Sequence, residues 1–414
     1  MEKRGRLVFT IYVYVFMMGF AVAGTMFSTV LPRIIEDYGL SLDQAGLFAV
    51  FTNAGNMSAM LVTGFLGDRY RKSVLIGLTF MGLSVGLALI GLTPPFFLLL
   101  CFEAFVGICS SMLNLLITAF VSDMYGEERE KYINLVHMFY GLGSLLGSIY
   151  PMMLSGQGLA WRYSYLFLAA VIALTGISFF IAAAKVKEPK CLKGTPGEMP
   201  EVSDQGVVYA NASGLSSGEL LFDKRMLVLG FMGFLYMGGH QNTFSTWFQT
   251  YLQSTGPQIY SEEYTSVCMT TYWIGMVASR MIGALLADRV SPRFLIRGGC
   301  LGGAAMLGLG MIADTPYIWI VAAACLGICT GVIYPLIFSF SCGWFPDDSA
   351  KASSIVGIFT SVGSMLCGWL VGKIAGSISF SLAMLIPWIT LPVVFLLAGV
   401  CLPGERKQGG RGKL

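Results

Sequence analysis

The chain has 414 residues, of which 55% are hydrophobic and only 12% charged, with a formal net charge of +3. A soluble domain carries about 25% charged residues, so a surface this poor in charge excludes a large water-soluble globule. The small net charge holds no signal for nucleic acid, and the positions of the charges say more than their sum.

A helix needs about 20 apolar residues to cross a bilayer. Twelve stretches qualify, near 8–31, 44–66, 74–92, 97–120, 131–154, 163–184, 226–252, 264–287, 294–312, 316–339, 350–374 and 380–402. Lipid offers no partner to a backbone polar group, so each stretch is predicted helical. The basic start (Lys3, Arg4, Arg6) leads into a run too long for a signal-peptide core, and that run reads as helix 1. Glycine is abundant, as in Phe139–Gly147, and lets membrane helices approach closely. The ten cysteines show no CxxC pair and no zinc spacing, and read as small packing residues.

With the N-terminus in the cytoplasm, all but four of the 26 basic residues fall on the cytoplasmic side. The exceptions are Arg33, Arg162 and Lys373 on the outer side and Arg280 inside a helix. The positive-inside rule then places both termini in the cytoplasm, in what is expected to be a plasma (inner) membrane. Residues 185–225, with Lys185, Lys187, Lys190 and Lys193, read as a solvated cytoplasmic linker. The expected organisation is an N-terminal six-helix half (1–184), this linker, a C-terminal six-helix half (226–402) and a cytoplasmic tail (403–414). Asn211-Ala212-Ser213 in the linker matches a glycosylation sequon, which on that side is a chance match.

The halves repeat. Asp68-Arg69 after helix 2 returns as Asp288-Arg289 after helix 8, 220 residues on; Met17-Met18-Gly19 returns as Tyr236-Met237-Gly238 at an offset of 219. The fold class is therefore an all-α membrane protein with twelve transmembrane helices in two six-helix pseudo-symmetric halves, the pattern of parallel repeats around a midplane site.

Ionisable groups at membrane depth are costly and mark function by default. They are Glu103, His137, His240 and Arg280. A neutral imidazole can donate to one solute oxygen and accept from another. His240 opens the polar run His240-Gln241-Asn242 in helix 7, so His240 and Gln241 are expected to line a cavity; packing on a backbone carbonyl is the alternative. Asn53, Asn56 and Asn114 offer amides, and Tyr140, Trp247, Tyr272 and Trp273 offer rings, a set that suits a solute with hydroxyl rims and C–H faces. Their alternatives are interhelical glue and an interface belt. His137, Arg280 and Glu103 are coupling or gating candidates, with Asp68, Arg69, Asp288 and Arg289 in the loops. The sequence contains no GxxxxGK[ST] phosphate loop, no HExxH and no metal cluster, so no cofactor and no enzymatic reaction are expected.

The loop Gly64-Phe-Leu-Gly-Asp68-Arg69-Tyr70-Arg71-Lys72 resembles the signature of the major facilitator superfamily between helices 2 and 3, with Arg71 where Gly is usual. Three segments are similar to the fucose-permease-like sugar transporters: 134–143 in helix 5, 234–247 in helix 7 and 273–280 in helix 8. The resemblance implies the major facilitator fold, a latch role for Asp68 and Arg69, and secondary transport of a small polar solute, a sugar, with protons as a candidate coupling ion. The chain departs from those relatives in placing His240 where many have Glu, Ser110 where an acid occurs in helix 4, and no acid in helix 1 before Arg33. The expected partners are the solute, protons and the lipid bilayer, with no nucleic acid, and a monomer is expected. A proton-coupled exporter of drugs or metabolites remains an alternative, although Gly147 is followed by Ser148 and not by the Pro common in such exporters. A non-transporting membrane sensor is a further alternative.

Overall fold

The computed structural model describes residues 2–125, 129–185, 217–254, 260–286, 289–313, 315–345 and 349–402, and every regular element among them is helical. Six spans form the first half: α1 (Glu2–Tyr38), α2 (Leu42–Arg69), α3 (Lys72–Gly91), α4 (Phe96–Tyr125), α5 (Arg129–Gly156) and α6 (Arg162–Lys185). Six more form the second: α7 (224–254), α8 (Glu262–Leu286), α9 (Pro292–Ile312), α10 (316–344), α11 (Ser349–Ser377) and α12 (Leu385–Cys401). A short helical turn, Phe380–Ala383, leads into α12. The part of the predicted linker at 186–216, the Asn211 sequon within it, and the tail at 403–414 lie outside the described residues.

The helices overrun the apolar stretches that announced them. α1 continues through Arg33, Glu36 and Asp37 to Tyr38, because a helix emerging from lipid keeps its backbone bonds and can carry charges on its final turns. Local signals fix several ends. Ser41 caps α2 in a reciprocal capping box with Gln44, and Ser291 caps α9 ahead of Pro292. Gly39 (φ +61°) turns the chain between α1 and α2 in a left-handed conformation that side chains resist.

Among the described residues eight helices are long and apolar enough to cross a membrane by length and composition, and α2, α5, α7 and α8 are not among them. These carry Asn53 and Asn56, His137 and Tyr140, the 240–242 polar run, and Arg280. A helix that faces other helices or a polar cleft is freed from the demand that lipid makes on its surface.

The repeat offset of 220 is reproduced in the packing. A Cβ on Gly55 would lie 2.1 Å from the Ala104 carbonyl oxygen, and one on Gly275 would lie 2.2 Å from that of Ala324. Gly107 meets the Thr52 carbonyl oxygen at 2.4 Å in the same sense, and Gly327 meets that of Tyr272 at 2.1 Å. Each of these four pairings is carried onto its partner by adding 220. The α2–α4 crossing of one half is therefore the α8–α10 crossing of the other, held at backbone contact by glycine. The halves then meet through α2 on α11, α5 on α8 and α1 on α7.

Candidate substrate site between the two halves

The face that carries the N-terminus is called here the termini face, and the other the opposite face. On the opposite face the halves are tied by polar side chains. The Glu262 carboxylate at the start of α8 accepts from the Arg33 guanidinium of α1 at 2.5 Å and from the Ser155 hydroxyl of α5 at 2.9 Å. Gln249 of α7 donates to the Thr29 hydroxyl of α1 at 3.1 Å. Lys373 of α11 stands 3.9 Å from Asp43 of α2. Charge-assisted bonds of the Arg33–Glu262 kind are the stronger ones. None of these residues was singled out from sequence as a site. Arg33 and Lys373 were visible as the rare basic residues of that face, but only the fold brings Glu262 and Asp43 to them.

Deeper in, α5 and α8 approach where a Cβ on Gly141 would lie 2.6 Å from Val277 Cγ2. That contact sets His137 and Tyr140 of α5 against Arg280 of α8. The guanidinium lies within electrostatic reach of His137 and Tyr140 across the halves, and of Tyr236 and Tyr272 within its own half. Arg280 is half-buried, its Nε is buried without a hydrogen-bond partner, and it makes no ion pair among the described residues. Trp273 Nε1 on the same helix also lacks a partner, as do Asn114 Oδ1 on α4 and Tyr14 Oη on α1; Tyr272 Oη has the Thr330 hydroxyl beside it. Asn53 and Asn56 are half-buried; Asn53 donates to the Ala49 carbonyl at 2.8 Å, and Asn56 to Asn53 at 3.5 Å.

Other expected site residues stand apart. His240 is fully buried; its Nδ1 meets the Pro387 carbonyl of α12 at 2.9 Å and its ring lies between Tyr236 and Phe244. It ties α7 to α12 inside the second half through Nδ1, as the packing alternative has it, while its Nε2 is buried without a hydrogen-bond partner. The segment that carries it, Phe234–Asn242, is π-helical within α7. Gln241 is buried beside it. Trp247 is corrected to a packing role, since it is fully buried and donates to the Gly368 carbonyl at 2.9 Å. Glu103 sits inside the first half, 5% exposed, where its carboxylate accepts from Tyr165 at 3.3 Å. Arg289 is exposed just beyond α8; Asp288 and the side chains of Asp68 and Arg69 lie outside what the structure describes. Among the described residues no group of histidine, cysteine or acidic side chains could hold a metal ion.

Comparison with known proteins agrees with this architecture. Protein spinster homolog 1 of Xenopus tropicalis is 23% identical over 323 residues, 76% of this chain, and the chain spans 58% of that protein's length. The cis,cis-muconate transport protein of Acinetobacter baylyi is 22% identical over 385 residues, covering 89% of this chain and 87% of that one. A bacterial homolog of the human lysosomal transporter Spinster, in an inward-facing, unoccupied conformation, shares the fold with a TM-score of 0.75 at 14% identity, over 97% of this chain and 98% of that one. The Escherichia coli fucose:proton symporter does so with a TM-score of 0.62 at 17% identity, over 96% and 98%. The family profile matches residues 11–261 and 256–413, nearly the whole length, and the chain belongs to the Major Facilitator Superfamily of transporters.

Proposed function

We propose that this transporter moves a small polar solute of sugar size by alternating access, with its two halves rocking about the site between them and with protons as the coupling ion. The observation that carries the reading is the set of hydrogen-bonding atoms without protein partners on α1, α4 and α8: Tyr14 Oη, Asn114 Oδ1, Trp273 Nε1 and Arg280 Nε. Buried polar groups are ordinarily paired, and a set left open calls for a partner from solution. On the reading that the basic residues mark the cytoplasmic side, the opposite face looks outward and the tied state is inward-facing. Glu103 is the only buried carboxylate among the described residues and is the candidate proton carrier.

The test is counterflow in proteoliposomes with labelled sugars, nucleosides and small organic acids, each with and without a pH gradient. Saturable exchange of one polar class, accelerated by the gradient, is the expected result. A folded protein that exchanges none of them but expels lipophilic cations would overturn the reading in favour of a drug exporter.

A further inference from the structure

The offset of 220 that superposes the halves also aligns α5 with α11: Val136 with Val356, Phe139 with Phe359, Gly143 with Gly363 and Ser144 with Ser364. The same offset pairs position 60 with 280 and position 137 with 357. In the α2–α11 contact these positions hold Met60 and Gly357, and a Cβ on Gly357 would meet the Met60 methyl at 3.6 Å. In the α5–α8 contact they hold Arg280 and His137. Two equivalent places in one scaffold thus differ sharply: an apolar contact in one, a guanidinium facing an imidazole across the halves in the other.

Packing did not require that difference, because the repeat shows a methionine on glycine serving the same place. A guanidinium stays protonated in any protein setting. At membrane depth it is costly unless paired. Yet Arg280 makes no ion pair among the described residues, and His137 and three tyrosines lie within its electrostatic reach. Among the described residues the site holds a fixed positive charge and further donors with no acid paired to them.

We infer that the transported solute is an organic anion whose carboxylate docks on Arg280, with His137 and Tyr140 reaching it from the other half. This deepens the proposed function and rests on it. The planar guanidinium offers two parallel N–H donors that match the two oxygens of a carboxylate. The choice of carboxylate over phosphate follows from charge. One fixed cation balances a monoanion, whereas a phosphate monoester carries about −1.5 to −2 at neutral pH and calls for a second. A ligand held by α5 on one side and α8 on the other also joins the halves, so its binding and its release bear directly on their rocking.

The test uses the full-length protein in nanodiscs and three solutes on one scaffold: glucose, gluconate and glucose 6-phosphate, with lactate and lactamide as a second matched pair. Phenylglyoxal labelling of Arg280 is followed by mass spectrometry. Gluconate or lactate is expected to slow labelling at least threefold and saturably, with glucose and lactamide inert. Protection by neither carboxylate, equal protection by the neutral partners, or protection by glucose 6-phosphate alone would overturn the inference. In proteoliposomes Arg280→Lys should lower exchange of the protecting acid about tenfold, and Arg280→Gln on the order of a hundredfold, the scale of charged hydrogen bonds. Their thermal transitions should stay near the parent's. If Arg280→Gln fails to fold, protection in the unaltered protein decides. Exchange of glucose but not of gluconate would leave the transporter reading intact and sink the anion site. Protection without saturable exchange of any solute would support the site and count against transport.

Discussion

Along the α2–α11 seam the two halves touch through small residues and backbone, whereas the equivalent α5–α8 seam is built of charge and hydrogen bonds. In the first, a Cβ on Gly372 would lie 2.4 Å from the Leu42 carbonyl oxygen, one on Gly368 would lie 2.6 Å from the Ala49 methyl, and Gly46 backs onto the Trp369 backbone. In the second, Arg33, Ser155 and Glu262 close one end and His137 with Arg280 occupy the deeper part. An apolar seam can roll or slide with little polar penalty, because no specific bond is lost when its contacts shift. A polar seam must re-satisfy its groups in every state, so it can be biased by whatever pairs with them. The duplication supplied two equal seams; the first is suited to serve as the pivot and the second as the switch.

The largest expected effect tests whether the scaffold beneath the seams really is the same. Gly55→Ala and Gly275→Ala each drive a methyl into a backbone carbonyl oxygen at 2.1 and 2.2 Å. Overpacking against rigid backbone costs about 3 kcal/mol or more here, and the two variants should lose thermal stability alike. A harmless change in one half and a ruinous one in the other, read from the melting transition in detergent, would show that the halves differ below the seams as well.

Next in size is a wedge in the apolar seam. Gly372→Leu has no room at Leu42 and should part the opposite-face ends of α2 and α11 at a cost to the tied state of about 1–3 kcal/mol. Spin labels near residues 40 and 378 should report a longer distance. An unchanged distance with normal transport would remove the pivot role from this seam.

Much of this architecture was readable before any coordinates. The twelve spans, the offset of 220 and the polar helices all follow from hydropathy, charge and repetition, which are properties of the chain itself. Direction was less legible. His240 and Trp247 were expected toward a cavity, and His240 Nδ1 and Trp247 Nε1 meet carbonyls of the second half, Pro387 and Gly368. The expectation for His240 rested on three polar side chains in a row, and a run of that kind does not say which neighbouring helix each side chain meets. The Glu262 clasp was invisible for another reason. Its three residues are separated by more than 100 positions from one another, and nothing local in any of them announces the partner.

The polar seam is probed by Glu262→Gln, which keeps an acceptor for Ser155 but removes the charge facing Arg33. Those two side chains are 17% and 25% exposed, between the fully wet pairs worth under about 1 kcal/mol and the buried pairs whose loss costs about 3–5. A loss of about 1–2 kcal/mol from the tied state is expected, so a cysteine placed at residue 155 should react roughly 5–30 times faster with an impermeant thiol reagent applied to the opposite face. The exchanged pair Arg33→Glu with Glu262→Arg should restore slow labelling. Fast labelling in the exchanged pair would mean that the carboxylate position, and not the pairing, holds the face shut.

The smallest effect is expected at the other end of the same face, where Lys373 stands 3.9 Å from Asp43 and both side chains are about half exposed, 53% and 49%. Such a pair is worth little in water and less in salt. Asp43→Asn removes only this attraction, since the acid's favourable place in the first turn of α2 is the same whichever way the halves sit. It should therefore change the balance of states by less than about twofold, and not at all in 0.5 M salt. Lys373→Gln removes more, because the ammonium also lies 5.4 Å from the Trp369 ring centre. Exposed contacts of that kind contribute about 0.5–1 kcal/mol, so Lys373→Gln should exceed Asp43→Asn and keep part of its effect in salt. If Asp43→Asn instead matched Glu262→Gln in labelling rate, the α2–α11 seam would be held by charge as well, and the division between an apolar pivot and a polar switch would fall.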